Sequence, residues 1–181
     1  MNPSAMLRLR APAMAQSLLT REMLDIRRES PDQPQVRMLL RELDHYLGGL
    51  YQPQHNHILS VDELLAPRVF FLVARQQGRL VGCGALCRLP GDAVTAGEAY
   101  GEIKRMTVEP AARGSGIGAA LLARLEQQLI DEGVGLSLLE TGAAQTQAVA
   151  LYERAGYRRR TAFGGYPDNG LSLFYEKRLG R

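Results

Sequence analysis

The chain has 181 residues, 45% of them hydrophobic and 23% charged, a composition within the globular norm and too apolar for a disordered chain. That length supplies one domain with a sizeable core, and no stretch approaches the roughly 18 apolar residues of a membrane helix. The net charge of +3 matters less than where it sits: residues 1–21 hold Arg8, Arg10 and Arg21 and no acid, leaving nineteen bases against nineteen acids in residues 22–181. A nucleic-acid binder carries its basic face on the domain itself, so a basic tail before a neutral domain argues against that class.

The tail contains Ala13-Met14-Ala15, which resembles a cleavage site, but Arg8 and Arg10 interrupt the apolar centre that a secretory signal needs. It reads as a frayed tail, with an organelle-targeting segment as the second reading. Met23 to Arg27 alternates as a short first strand. Asp32-Gln33-Pro34-Gln35 has the pattern of a helix start with Asp32 as cap. Val36, Leu39, Leu40, Leu43 and Leu47 continue at helical spacing, and Gly48-Gly49 is the predicted stop. A loop rich in Tyr, Gln, His and Asn runs from Leu50 to Ser60, and a short helix spans Val61 to Leu65 before Pro67.

Val69–Ala74 and Arg79–Leu89 read as two strands joined by Gln76-Gln77-Gly78, a hairpin and therefore antiparallel. Cys83 and Cys87 lie in the second of these. On one strand their α-carbons stand about 13 Å apart, beyond the roughly 7 Å limit for a disulfide. Both are predicted as reduced core residues, which points to a reducing compartment and a cytoplasmic location. After a break from Pro90 to Gly97 comes a strand over Glu98–Val108, then a helix over Gly116–Glu132 with Ile117, Leu121, Leu122, Leu125 and Leu129 in one stripe. Leu136–Glu140 is a buried strand, and Ala148, Leu151, Tyr152 and Ala155 mark a short amphipathic helix ended by Gly156. Tyr157–Thr161 and Leu171–Lys177 are the last strands.

The segment Arg113-Gly114-Ser115-Gly116-Ile117-Gly118-Ala119 links a strand to a helix. Glycines let backbone approach a ligand and turn N–H groups outward, and the helix start adds partial positive charge, so the segment predicts a pyrophosphate cradle. Gly114, Gly116, Gly118 and Ala119 also match a dinucleotide fingerprint, with Glu140 placed as its ribose-binding acid. Five residues, Glu109 to Arg113, separate the strand from the first glycine, the preceding strands form an antiparallel hairpin, and too little chain follows Glu140 for a doubly wound sheet. Those features weigh against the dinucleotide reading and leave it a distant third.

Arg113, Gly116 and Gly118 instead fill an Arg-x-x-Gly-x-Gly pattern. With Glu102-Ile103-Lys104-Arg105-Met106-Thr107-Val108 before it and Ala148, Leu151, Tyr152, Gly156 and Tyr157 after it, the chain resembles the GNAT superfamily of acetyl-CoA-dependent N-acetyltransferases, in particular a bacterial group without an assigned substrate. The resemblance implies an α/β (α+β) domain over residues 22–181: a mixed, mostly antiparallel sheet of about seven strands with about four helices, its central strands splayed around acetyl-CoA. It implies that Met106, Thr107 and Val108 hold the pantetheine and acetyl carbonyl. It implies that Arg113, Gly114, Ser115, Gly116, Ile117, Gly118 and Ala119 hold the pyrophosphate. Gln145 stands where the family often has Asn.

Acetyl transfer to an amine needs a proton acceptor, stabilisation of the carbonyl oxygen and a proton for the leaving thiolate. The resemblance makes Glu102 the base and Tyr152 the acid. By strand alternation Glu102 shares a face with Lys104, Met106 and Val108. A Glu102–Lys104 pair is the alternative, and a nearby cation would weaken Glu102 as a base. Tyr46, Tyr51, His55, Lys104 and Tyr166 are the predicted lining of the acceptor site. His55-Asn56-His57 with Asp62 and Glu63 offers too few convergent ligands for a metal in a chain of three histidines. The sequence thus predicts a metal-independent N-acetyltransferase taking a small-molecule primary amine, with no nucleic-acid or membrane partner and with edge strands open to a homodimer. The competing reading is a noncatalytic acyl-CoA-binding or sensing module that keeps Arg113 and the glycines and dispenses with Glu102 and Tyr152.

Overall fold

The computed structural model describes residues 24–52, 57–168 and 170–180; the expected N-terminal tail and His55 lie outside them. One seven-stranded sheet is built from β1 (Leu24–Arg28), β2 (Val69–Gln76), β3 (Arg79–Leu89), β4 (Tyr100–Val108), β5 (Leu136–Gly142), β6 (Arg158–Arg160) and β7 (Ser172–Arg178) in the order β1-β2-β3-β4-β5-β7-β6. Every neighbouring pair is antiparallel except β4 and β5. Four α-helices among the described residues, α1 (Pro34–Leu50), α2 (Val61–Leu64), α3 (Ile117–Asp131) and α4 (Thr146–Arg154), complete the expected mixed architecture. None is long and apolar enough to cross a membrane.

Both faces of the central strands are covered. On one, Leu121, Leu122, Leu125 and Leu129 of α3 pack on Leu72, Ala74, Leu86 and Ile103. On the other, Val36, Leu39 and Leu40 of α1 and Leu64 of α2 pack on Phe71, Val73, Cys83, Ala85 and Cys87. Burial on both faces accounts for the nearly continuous apolar runs of β2 and β3. Cys83 and Cys87 are free, buried thiols, and burial pushes Cys83 up to about 12.

Local signals fix most boundaries. Gln77 and Gly78 turn the β2–β3 hairpin with φ of 52° and 78°, the two left-handed residues that match strand twist. Ser60 and Glu63 form a reciprocal capping box on α2. The start of α1 differs from expectation: Gln33, not Asp32, is its N-cap. Pro34 at the first helical position sets the entry, while Asp32 turns to Arg37 at 2.6 Å. Gly48-Gly49 does not stop α1, which continues to Leu50 and ends at extended Tyr51.

The decisive irregularity lies in β4. Its register against β3 passes from Ala85↔Lys104 to Cys83↔Thr107, so Gly84 faces both Arg105 and Met106. Arg105 occupies this bulge with φ 55°. An extra residue reverses the alternation of side chains, which corrects the expected common face. Glu102 and Lys104 lie opposite Cys87 and Ala85, on the α1 side. Met106 and Val108 pack with the α3 cluster. Pairing between β4 and β5 is confined to Gly101–Ile103 with Ser137–Leu139, whereas β5 stays paired to β7 through Gly142. Beyond Ile103 the two central strands part.

Candidate active site

Two adjoining clefts occupy this parting. The larger, of about 700 Å³, is lined by Met106, Thr107 and Val108 of β4, by Arg113, Gly114, Gly116, Ile117, Gly118 and Ala119, and by Gln145, Tyr152 and Arg154. Ser115 is the one predicted cradle residue outside that lining; its hydroxyl donates to the Ala112 carbonyl at 2.6 Å. Gly116 caps α3 at φ 88° without a side-chain cap, and no acid stands in the first turn. The first N–H groups of a helix lack intrahelical partners and carry the positive end of its dipole. This end of α3 therefore offers uncapped donors to an anion at the cleft floor. Arg113 ties the loop to β4, its Nε donating to the Val108 carbonyl at 3.0 Å.

The smaller cleft, of about 100 Å³, includes Lys104, Arg105, Glu140, Tyr51, His57 and Ser172 in its wall, and it meets the larger one at Leu43, Met106, Gln145 and Tyr152. Gln145 begins α4 without a side-chain cap bond, so the longer amide remains turned to both clefts. Tyr152 is 5% exposed. Burial first, and the charge of Glu140 second, raise its phenol above the ordinary tyrosine range. Its hydroxyl thus stays protonated where the clefts join.

Glu102 is buried and lines neither cleft. Its Oε1 accepts from Lys104 Nζ at 3.1 Å and from the Tyr166 hydroxyl. Lys104 also donates to Tyr166 and lies 5.2 Å from its ring centroid. Burial, with the Glu102 charge next, holds the Tyr166 phenol protonated. The structure therefore brings together buried Glu102 with half-buried Lys104 and Tyr166, of which only Lys104 stands on the cleft wall. His57 packs edge-on to Tyr166 at 4.8 Å.

Of the predicted acceptor residues, Tyr51 and Lys104 line the smaller cleft, and Tyr46 lines the larger one instead. The Tyr51 hydroxyl accepts the Ala144 N–H at 3.0 Å, closing one end of the smaller cleft over Gly142. Among the arginines of the 154–160 segment, Arg154 reaches the larger cleft, while Arg160 pairs with Glu176 at 3.2 Å and Arg159 covers the Tyr175 ring.

Glu140 is the group that sequence reasoning left without a role once the dinucleotide reading lost. As the first β5 residue beyond the last β4 pair, it stands on the wall of the parting, accepts the Ser172 hydroxyl at 2.5 Å and has no ion-pair partner among the described residues. A carboxylate ending an otherwise apolar strand is a signal for it; what that signal lacks is where β4 and β5 separate.

Comparison with known proteins agrees with this geometry. The family model described as Acetyltransferase (GNAT) family matches residues 28–157. An IAA acetyltransferase from Azospirillum brasilense is 47% identical over 154 residues, which is 85% of this chain and 97% of that protein. A Klebsiella pneumoniae protein assigned to the acyl-CoA N-acyltransferases superposes with a TM-score of 0.69 at 34% identity, covering 87% of this chain and 99% of that one. The paia N-acetyltransferase of Thermoplasma acidophilum, solved in complex with coenzyme A, has the same fold at a TM-score of 0.67 and 19% identity over 86% of this chain and 98% of its own. These matches are to acetyltransferases and acyltransferases rather than to sensing modules. With two central strands parted over a glycine-rich helix start, and with the family's pattern running through most of its length, the chain belongs to the GNAT acetyltransferase family and is an acyltransferase enzyme.

Proposed function

We propose that the protein moves acetyl from acetyl-CoA to a primary amine of a small molecule by direct attack, with no covalent enzyme intermediate. The observation that carries this reading is the junction of the two clefts at Tyr152 and Gln145. One cleft has the length and the uncapped helix start for a nucleotide thioester, and the other is small and charged. The Thermoplasma relative with coenzyme A supports the same choice of donor.

The first-turn amides of α3 and Arg113 hold the pyrophosphate, and Gln145 reaches the pantetheine. Acetyl-CoA supplies an activated acyl group. The edge of β4 that faces the parting has no strand partner beyond Ile103 among the described residues, so its peptide groups between Lys104 and Thr107 are available to orient the thioester and its carbonyl oxygen. Glu140 receives the ammonium of the acceptor and takes its proton, directly or through one water. Glu102, the base expected from sequence, holds Lys104 and Tyr166 in place in this reading. Tyr152 donates its proton to the departing sulfur.

Free-thiol release from acetyl-CoA across a panel of primary amines tests the assignment. Glu140→Gln and Tyr152→Phe are each expected to lower kcat by about 10²–10⁴-fold with the Kd for CoA unchanged. Activity that survives in Glu140→Gln but not in Glu102→Gln would return the base to Glu102.

A further inference from the structure

From the charges of the smaller cleft we infer that the acceptor carries a carboxylate beside its amine, as an α-amino acid does. The inference rests on the acetyl-transfer reading above and names the substrate class of the same site.

Lys104 and Glu140 are the first residues of β4 and β5 after their last pair, Ile103↔Leu139. Both line the smaller cleft, and no ion pair joins them among the described residues. A lysine ammonium has three N–H donors, of which Glu102 and Tyr166 take two. Arg105 lines the same cleft with its side chain 5% exposed. One of its terminal nitrogens pairs with Asp44 and the other makes a long 3.4 Å bond to the Leu40 carbonyl, and its Nε is buried without a partner. Lys104 thus keeps one N–H for a ligand on the cation side of the cleft, with the Arg105 charge behind it, while the anion side is Glu140.

A zwitterion fits that division: its ammonium goes to Glu140 and its carboxylate to Lys104. A polyamine would bring its second ammonium against Lys104 and Arg105, two like charges at short range. The smaller cleft, of about 100 Å³ against about 700 Å³ for the larger one, favours an acceptor whose amine and carboxylate are a few atoms apart.

The test screens the twenty common amino acids with acetyl-CoA by thiol release, then compares the best with its carboxamide and its decarboxylated amine. The carboxamide has the less basic nitrogen and the decarboxylated amine the more basic one. A preference for the amino acid over both therefore reports the carboxylate. The expected preference in kcat/KM is about ten- to hundredfold, falling toward one in Lys104→Met whatever the absolute rate of that variant. Turnover of simple amines equal to or above that of amino acids overturns the carboxylate site and leaves acetyl transfer standing. Absence of thiol release with every amine overturns both.

Discussion

Replacing Gly142 by Ala places a methyl group inside the van der Waals envelope of the Tyr51 hydroxyl and 2.7 Å from its Cε2. Gly142 ends β5 and needs no special backbone conformation, so the whole effect should pass through Tyr51. That ring must leave the cleft end, breaking the hydroxyl's 3.0 Å bond to the Ala144 N–H, a loss of about 1 kcal/mol. Displaced ring packing adds a similar amount, within the usual cost of overpacking of about 1–3 kcal/mol. About 2 kcal/mol in a chain of this size corresponds to a Tm fall of about 4–8 °C. Because Tyr51 lines only the smaller cleft, acceptor KM should rise while CoA affinity holds. A double-mutant cycle with Tyr51→Ala isolates the contact: in that background Gly142→Ala should cost under about 0.5 kcal/mol by thermal melting. An undiminished Tm loss without Tyr51 would refute the argument.

Gly116→Ala meets no atom within 4 Å but must hold φ 88°, a left-handed conformation that costs about 1–2 kcal/mol with a side chain; calorimetry should show CoA binding about tenfold weaker, and unchanged affinity would remove the helix start from the site. Arg75 chiefly, with Gln33 and Arg27, lowers Glu29 from 4.5 to about 2. A depressed carboxyl stabilises the fold above its unfolded value and loses that contribution as pH falls, so urea midpoints should drop between about pH 4.5 and 2. Glu29→Gln should flatten that limb; an identical slope in the variant would contradict it. Asp44→Asn leaves the buried Arg105 without its anion. A buried partner would cost more, but Asp44 is 40% exposed and water replaces part of it, so a loss of about 1–2 kcal/mol is expected by denaturant melts; no loss would mean that the pair contributes nothing.

Much of the larger cleft was legible in the chain because its signals are local. The Arg113–Ala119 glycines, the stripe from Ile117 to Leu129 and the Gln77-Gly78 turn each act within a few residues, through backbone conformation or one helical face. The same locality explains the cap of α1: Pro34 at the first turn outweighs Asp32, a competition within one tetrapeptide. The smaller cleft was less legible. Alternation along Glu102-Ile103-Lys104-Arg105-Met106 assumes an uninterrupted strand, and the bulge at Arg105 reverses it. Glu140 had no place in the sequence reading once the dinucleotide pattern was set aside, and its position on the cleft wall follows only from its neighbours on β4.

The sequence by itself determined the elements, the glycine-rich loop and the family to which they belong, since periodicity, turn residues and motif order need only near neighbours. Tertiary structure alone decided which side chains face the smaller cleft. A one-residue change in register against β3 turns Glu102 and Lys104 to one face of the sheet and Met106 to the other. The end of β4–β5 pairing at Ile103 and Leu139 opens the wall on which Lys104 and Glu140 stand. Both are contacts between segments far apart in the chain, and no local pattern records them.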